Sequence, residues 1–140
     1  MSQRATESGG GLRPRPRILI VEDTILIAMF IDDIARFCGC DVAGTSYTLQ
    51  EAREALGRHD YDAVLLDIGL QTDRSFEIAD VLLERKVPFA FLTAYEEILE
   101  PRHQNVPVLL KPFSTDALVR IICGLVGLNG AMTDTRALAG

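Results

Sequence analysis

Tryptophan is absent from these 140 residues, aromatics make up only 6%, and there are just three cysteines and two histidines. Cys38, Cys40 and Cys123 are too few and too badly spaced for a disulfide framework. No second pair or nearby histidine completes a zinc site around Cys38-x-Cys40, so small buried hydrophobes at a helix end are the expected role. Basic charge is also in deficit: 14 Lys and Arg against 20 Asp and Glu leave a net charge of −6. That excludes a general nucleic-acid binder, which would carry a basic patch or stripe. No apolar run approaches the roughly 18 residues of a membrane span. The opening MSQRATESGGGLRPRPR has no apolar h-region, so it does not read as a secretory signal, and a cytoplasmic protein is expected.

What is present is a globular composition, 48% apolar, on a length that suits one domain. Residues 1–16 read as a flexible tail, with Gly9-Gly10-Gly11 giving flexibility and Arg13-Pro14-Arg15-Pro16 giving extension. Arg13, Arg15 and Arg17 form a solvated lead-in to the first strand. Residues 17–128 form the folded domain, and residues 129–140 form a frayed tail of small residues.

Within the domain two patterns alternate. Short continuous apolar runs at 17–22, 41–45, 62–67, 88–93 and 107–110 read as strands covered on both faces, the second being weak. Helical spacing fills the gaps. A first helix starts near Thr24, with Ile27, Ile31, Ile34 and Cys38 as its stripe and Gly39 as its left-handed cap. Thr48-x-x-Glu51 is a capping box for a second helix ending near Arg58. A third runs from about Phe76 to Lys86, buries Ile78, Val81 and Leu82, and is stopped by Pro88. Between Ala94 and Val106 the sequence is short and broken by Pro101, so the fourth helix is expected to be a loosely held turn or two around Glu96-Ile98-Leu99. The last begins at Ser114 with Phe113 as a hydrophobic staple, buries Leu118, Ile121, Ile122 and Leu125, and ends at Gly127. Five strands alternating with five helices predict a parallel sheet with helices on both faces and right-handed crossovers.

Chemistry-bearing residues fall at the ends of the strand-like runs. Glu22-Asp23 closes the first, Asp67 the third, Thr93 the fourth and Lys111-Pro112 the fifth. In an open parallel sheet the carboxyl ends of the strands border the ligand crevice. One pocket would then hold three carboxylates, a hydroxyl and an ammonium. A carboxylate at Asp67 is a competent nucleophile at phosphorus. Glu22, Asp23 and Asp67, with the backbone carbonyl of Gly69, offer the oxygen ligands that Mg²⁺ prefers, and Mn²⁺ is an acceptable substitute. Lys111, the Thr93 hydroxyl and the Ala94 N–H would stabilise phosphoryl oxygens. Each residue also has a plainer reading, as a helix N-terminal acid, a loop cap, a strand threonine or a surface lysine.

Ile20-Val21-Glu22-Asp23, Leu65-Leu66-Asp67, Leu92-Thr93-Ala94 and Leu110-Lys111-Pro112-Phe113 together resemble the response-regulator receiver domain (CheY-like) of two-component signalling. The resemblance implies a flavodoxin-like (βα)5 α/β fold with strand order 2-1-3-4-5. It implies phosphorylation of Asp67 by a histidine kinase or histidine phosphotransfer protein, Mg²⁺ at the acidic pair, and Thr93 and Lys111 on the phosphoryl group. Phe91-Leu92-Thr93-Ala94-Tyr95 is similar to the Phe-Ala-Thr-Gly-Tyr signature of the FAT GUY receivers, many of them single-domain, with two positions differing.

Other departures bear on switching. Val108 stands where receivers carry an aromatic switch residue, so Thr93, Tyr95 and Val108 are the candidate switch positions. The expectation is a stand-alone receiver, monomeric or weakly dimeric, that acts by protein contact, phosphoryl shuttling or as a phosphate sink. It is not expected to be an enzyme beyond its own phosphoryl transfer and dephosphorylation. Two alternatives stay open: an aspartyl-phosphate-forming phosphatase, disfavoured by Gly69 where a second Asp would stand, and a receiver-like module that binds without phosphate.

Overall fold

Strand β1 (Arg17–Val21) lies inside a five-stranded parallel sheet of order β2-β1-β3-β4-β5, with β2 Asp41–Ser46, β3 Ala63–Asp67, β4 Phe89–Thr93 and β5 Val108–Leu110. The structure, a computed structural model, describes residues 14–69, 75–94 and 101–128. Four α-helices are present among them: α1 (Ile25–Phe37), α2 (Leu49–Arg58), α3 (Ser75–Glu84) and α4 (Thr115–Val126).

Period-two alternation splits the strands' side chains between two cores. Leu19, Val21, Val64, Leu66, Phe89 and Phe91 pack on α2 and α3. Ile18, Ile20, Ala63, Leu65, Ala90, Leu92 and Leu109 pack on α1 and α4. The β3 and β4 runs are buried throughout, as strands covered on both faces must be. β2 is an edge strand, half-buried over most of its length, and its pairing with β1 slips by one residue between Ile18 and Leu19.

Helix ends follow their local chemistry. The Thr48 hydroxyl accepts from the Glu51 N–H at 3.1 Å, while the Glu51 carboxylate accepts from the Tyr47 N–H at 2.7 Å. The capping box therefore closes one residue further back than its usual form. Ser114 caps α4 through the Ala117 N–H, and Gly127, at φ 75°, terminates that helix. Gly39, at φ 94°, follows α1 as expected.

Two expectations need correction. α3 ends at Glu84, not Lys86. Lys86 itself takes the left-handed conformation, and its N–H and that of Val87 return to the Leu83 and Leu82 carbonyls, a hydrogen-bonded stop reached before Pro88. In α1 the fully buried residues are Ala28, Ile31 and Ala35, with Ile27, Ile34 and Cys38 only partly covered. The close approach of α1 to the sheet is made by alanines, which turns some of its larger residues outward.

The fourth helical element is, among the described residues, a single 3-10 turn at Pro101–His103. Glu96, Ile98 and Leu99 lie outside the described residues. The turn is bolted to α3. His103 is fully buried, its ring stacked on Phe76 (centroids 5.2 Å apart) and edge-on to Phe91 (5.7 Å). His103 Nε2 sits 2.9 Å from Asp80, which also takes two hydrogen bonds from Arg102 at 2.7 and 3.1 Å. These bonds, Arg102's first, hold the Asp80 carboxyl below its usual range.

At the amino ends of the strands, Arg15 pairs with Asp41 at 2.8 Å and Arg17 with Asp60 at 3.6 Å, so these arginines of the lead-in are tied to the chain's own acids. Pro14 and Pro16 there share a cavity of about 350 Å³ with Leu125 and Val126 at the end of α4. Cys40 and Cys123 are buried and Cys38 half-buried. Burial pushes the Cys38 and Cys40 thiols up to about 12 and about 11, which keeps them neutral packing groups.

Candidate functional site

Alternation along the strands decides which end residues meet. Glu22 continues the Ile18-Ile20 side of β1, Asp67 the Ala63-Leu65 side of β3, and Lys111 the Leu109 side of β5, all toward α1 and α4. Their side chains converge. Lys111 Nζ lies 2.8 Å from Glu22 Oε1 and 3.4 Å from Asp67 Oδ2. Glu22 is fully buried and Asp67 nearly so, while Asp23 is exposed. One oxygen from each of these three carboxylates lies within 4.8 Å of the others. This all-oxygen donor set fits a hard divalent cation.

The remaining contacts fix the pocket. Glu22 Oε2 accepts from the Thr24 N–H at 3.1 Å. Asp67 Oδ1 accepts from the Gly69 N–H at 2.9 Å. Gly69 thus meets Asp67 through its amide, an interaction the sequence reading did not anticipate. Thr93 is buried at the end of β4, and its carbonyl accepts from the Lys111 N–H at 2.7 Å, locking β5 to β4 at the rim. Ala94 follows as an exposed bend. The Lys111–Pro112 peptide bond is cis. Of the switch candidates, Val108 is 39% exposed on β5 opposite Phe91, and Tyr95 lies outside the described residues.

Electrostatics follow from this crowding. Burial first, and then the Glu22 charge, push the Asp67 carboxyl up to about 6, against the opposing pull of Lys111 and the Gly69 N–H. Burial alone would lower the Lys111 ammonium, but its contacts with Glu22 and Asp67 outweigh that and hold it above its ordinary value. Such a site is short of positive charge, and its Asp67 carboxylate is basic for its type.

Beside Lys111 the surface turns apolar. Leu26, Ile27, Phe30, Pro112 and Phe113 join Lys111 around a cavity of about 240 Å³. Ile25, Leu26 and Met29 are exposed on α1.

The sequence model of the response regulator receiver domain matches residues 18–123. The chain belongs to the response-regulator receiver domain family. The receiver fold, flavodoxin-like with the strand order found here, matches that of its structural neighbours. The receiver domain of the response regulator PhyR from Erythrobacter litoralis superposes with a TM-score of 0.69 at 32% identity, covering 81% of this chain and 91% of that one. SdrG from Sphingomonas melonis Fr1 gives 0.69 at 32% identity, covering 80% and 97%. Among curated proteins, the sensory transduction protein LytT of Bacillus anthracis is 30% identical over 111 residues, 76% of this chain and 45% of LytT. The transcriptional regulatory protein PdtaR of Mycobacterium tuberculosis is 29% identical over 111 residues, 76% of this chain and 54% of PdtaR. The receiver thus spans about half the length of the curated relatives it matches. Family membership makes it a two-component signalling module rather than a classical enzyme. No helix among its described residues is long and apolar enough to cross a membrane.

Proposed function

We propose that this receiver accepts a phosphoryl group on Asp67 from a phosphohistidine of a histidine kinase or histidine phosphotransfer protein. The observation that carries the reading is the buried Asp67 carboxylate, with Lys111 Nζ at 3.4 Å and the carboxylates of Glu22 and Asp23 beside it. The phosphorus–nitrogen bond of the donor breaks as an Asp67 oxygen bonds to phosphorus, giving an acyl phosphate. Lys111 takes up charge on the phosphoryl oxygens, and the Thr93 hydroxyl and Ala94 N–H donate to them. Asp23 and Asp67, with Glu22 and the Gly69 carbonyl beside them, are the groups that would hold Mg²⁺ or Mn²⁺. A bound divalent cation supplies charge neutralisation between carboxylate and phosphoryl group. The chain's own chemistry extends only to this transfer and to hydrolysis of the acyl phosphate.

The apolar surface around Leu26, Phe30 and Phe113 supports a protein donor, because a partner delivering phosphate to Asp67 must cover the rim those residues occupy. The functional unit is residues 17–128, acting in the cytoplasm. The FAT GUY reading, in which output is protein contact, shuttling or draining of phosphate, rests on the Phe91-Leu92-Thr93-Ala94-Tyr95 signature.

Incubation with acetyl phosphate and Mg²⁺, read by intact mass, tests this. One phosphoryl addition is expected, lost in Asp67→Asn and without metal. If neither acetyl phosphate nor a phosphorylated histidine kinase yields an adduct or phosphate release, the proposal fails.

A further inference from the structure

Arg85 follows α3 and reaches across to the end of α2. Its Nη1 donates to the Leu56 carbonyl at 3.2 Å and to the Tyr61 hydroxyl at 3.3 Å, and that hydroxyl donates to the same carbonyl at 3.1 Å. Two neutral acceptors thus hold the guanidinium in place. Among the described residues it has no carboxylate partner, and its Nε and Nη2 donors stay available. Those two form the parallel fork that grips a carboxylate with two bonds. Beside it lies a cleft of about 250 Å³ between α2 and α3, with Leu56, Ile78 and Val81 as its floor and Arg53 and Arg85 at its rim. Leu56 and Ile78 belong to the core, so the floor is apolar and fixed. Gly57 leaves part of the wall bare: a Cβ there would meet nothing within 4 Å. Packing does not demand glycine at this helical position, where it weakens a helix relative to alanine.

We propose that this cleft is a binding site for a small organic carboxylate whose body is a ring or a short apolar chain. The carboxylate takes the free fork of Arg85 and the guanidinium of Arg53, and the body covers Leu56, Ile78 and Val81. Arg53 is already paired with Glu77 at 3.0 Å, but the two side chains are 44% and 63% exposed, and a pair so open to water holds weakly. A ligand carboxylate therefore displaces Glu77 with little loss. Arg85 needs little further ordering, because its Nη1 is tethered before anything binds. The space suits a single ring and falls below the roughly 300 Å³ at which drug-sized pockets begin. The α2–α3 core lies on the opposite face of the sheet from α1 and α4, toward which the acidic pocket points. An occupant of the cleft leaves Asp67 accessible.

Titration of the isotope-labelled full chain with sodium phenylacetate, read by backbone amide shifts in NMR, tests the site, with the neutral isostere phenylacetamide alongside. Saturable shifts are expected around Leu56, Gly57 and Val81, with a Kd on the order of 1 mM for so small a ligand. Phenylacetamide is expected to bind about tenfold more weakly, since it loses the charge-assisted bonds. Arg85→Gln weakens phenylacetate by about the same factor. Glu77→Gln tightens it about twofold by removing the competing carboxylate. Gly57→Leu keeps both arginines but fills the cleft, and the shifts disappear. No saturation up to about 10 mM, equal binding of acid and amide, or shifts confined to α1 and Lys111 overturns the proposal. Undiminished binding by Gly57→Leu overturns it as well. Should that variant not fold, the comparison of acid with amide decides, because it uses only the unaltered protein. Asp67→Asn, which offers no carboxylate to phosphorus, is expected to bind phenylacetate as the parent does, so the cleft and the Asp67 reading stand or fall separately.

Discussion

Phe30 of α1 and Phe113, just after β5, stack with ring centroids 6.1 Å apart and an interplanar angle of 23°. The pair joins a helix to a loop across the side of the acidic pocket, and both rings border the cavity next to Lys111. Phe30 is also 37% exposed. Phe30→Ala is expected to cut the phosphotransfer rate from a histidine kinase or phosphotransfer protein about 30-fold, the size of an anchoring contact of about 2 kcal/mol. Phosphorylation by acetyl phosphate, which has no surface to dock, stays within about twofold. Parallel loss with both donors shows that Phe30 supports the site's structure and not partner docking.

Asp67→Asn is expected to stabilise the fold at pH 7.5 by about 1–2 kcal/mol, discounting the full shift for residual solvent screening. The sign follows from a carboxyl raised from its ordinary 3.8 to about 6 on folding. Such a group carries no penalty while protonated in both states. The cost enters as pH rises through the ordinary value and is complete above about 6. The advantage of the Asn variant should therefore vanish at pH 3.5. Urea melts at the two pH values measure it, and an Asn variant less stable than the parent at pH 7.5 contradicts the electrostatics described.

The same basic carboxyl makes cation binding pH-dependent, since protons and Mg²⁺ compete for it. Mg²⁺ affinity is expected to be about tenfold weaker at pH 5 than at pH 7.5, with the change centred at or below about 6. Calorimetric titration at both values checks this, and a flat profile places the ion away from Asp67.

His103→Ala removes a buried ring stacked on Phe76 and edge-on to Phe91 and strips Asp80 of one partner. The expected loss is about 2–4 kcal/mol. Hydrogen exchange should rise first in residues 101–106. Uniform loss of protection across the sheet contradicts the view of His103 as a local bolt.

Thr48→Ala removes the acceptor for the Glu51 N–H at the start of α2. A cost of about 1 kcal/mol is expected, with phosphorylation unchanged, because α2 contributes no group to the acidic pocket.

Much of the site is readable because strand ends in a parallel sheet are both a chemical and a geometric signal. Alternation in Ile18-Ile20-Glu22, Leu65-Asp67 and Leu109-Lys111 puts the three charged groups on one side of the sheet. The capping motif at Thr48 and the left-handed Gly39 and Gly127 are equally local, so they too are legible. Less so is anything that depends on which residues meet from afar. The burial face of α1 joins Ile31, which the pattern shows, to Ala28 and Ala35, which weigh little in a hydrophobic pattern beside Ile25, Leu26 and Met29 that end up exposed. His103 gives no periodic signal. Its burial arises from rings 27 and 12 residues away in the chain (103 less 76, and 103 less 91) and from Asp80 on another helix. The partnership of Glu22 with Lys111 depends on a side-chain length that a motif of acidic residues does not distinguish.

The cavity that Pro14 and Pro16 share with Leu125 and Val126 brings the start of β1 and the end of α4 together at one pole of the sheet. The acidic pocket sits at the other, a strand length of five residues away, or about 17 Å. A fluorophore, surface tether or fused domain attached on either side of residues 14–128 would sit behind the reacting face, leaving the approach to Asp67 open. An immobilised sample would present its phosphoacceptor to solution in one uniform orientation.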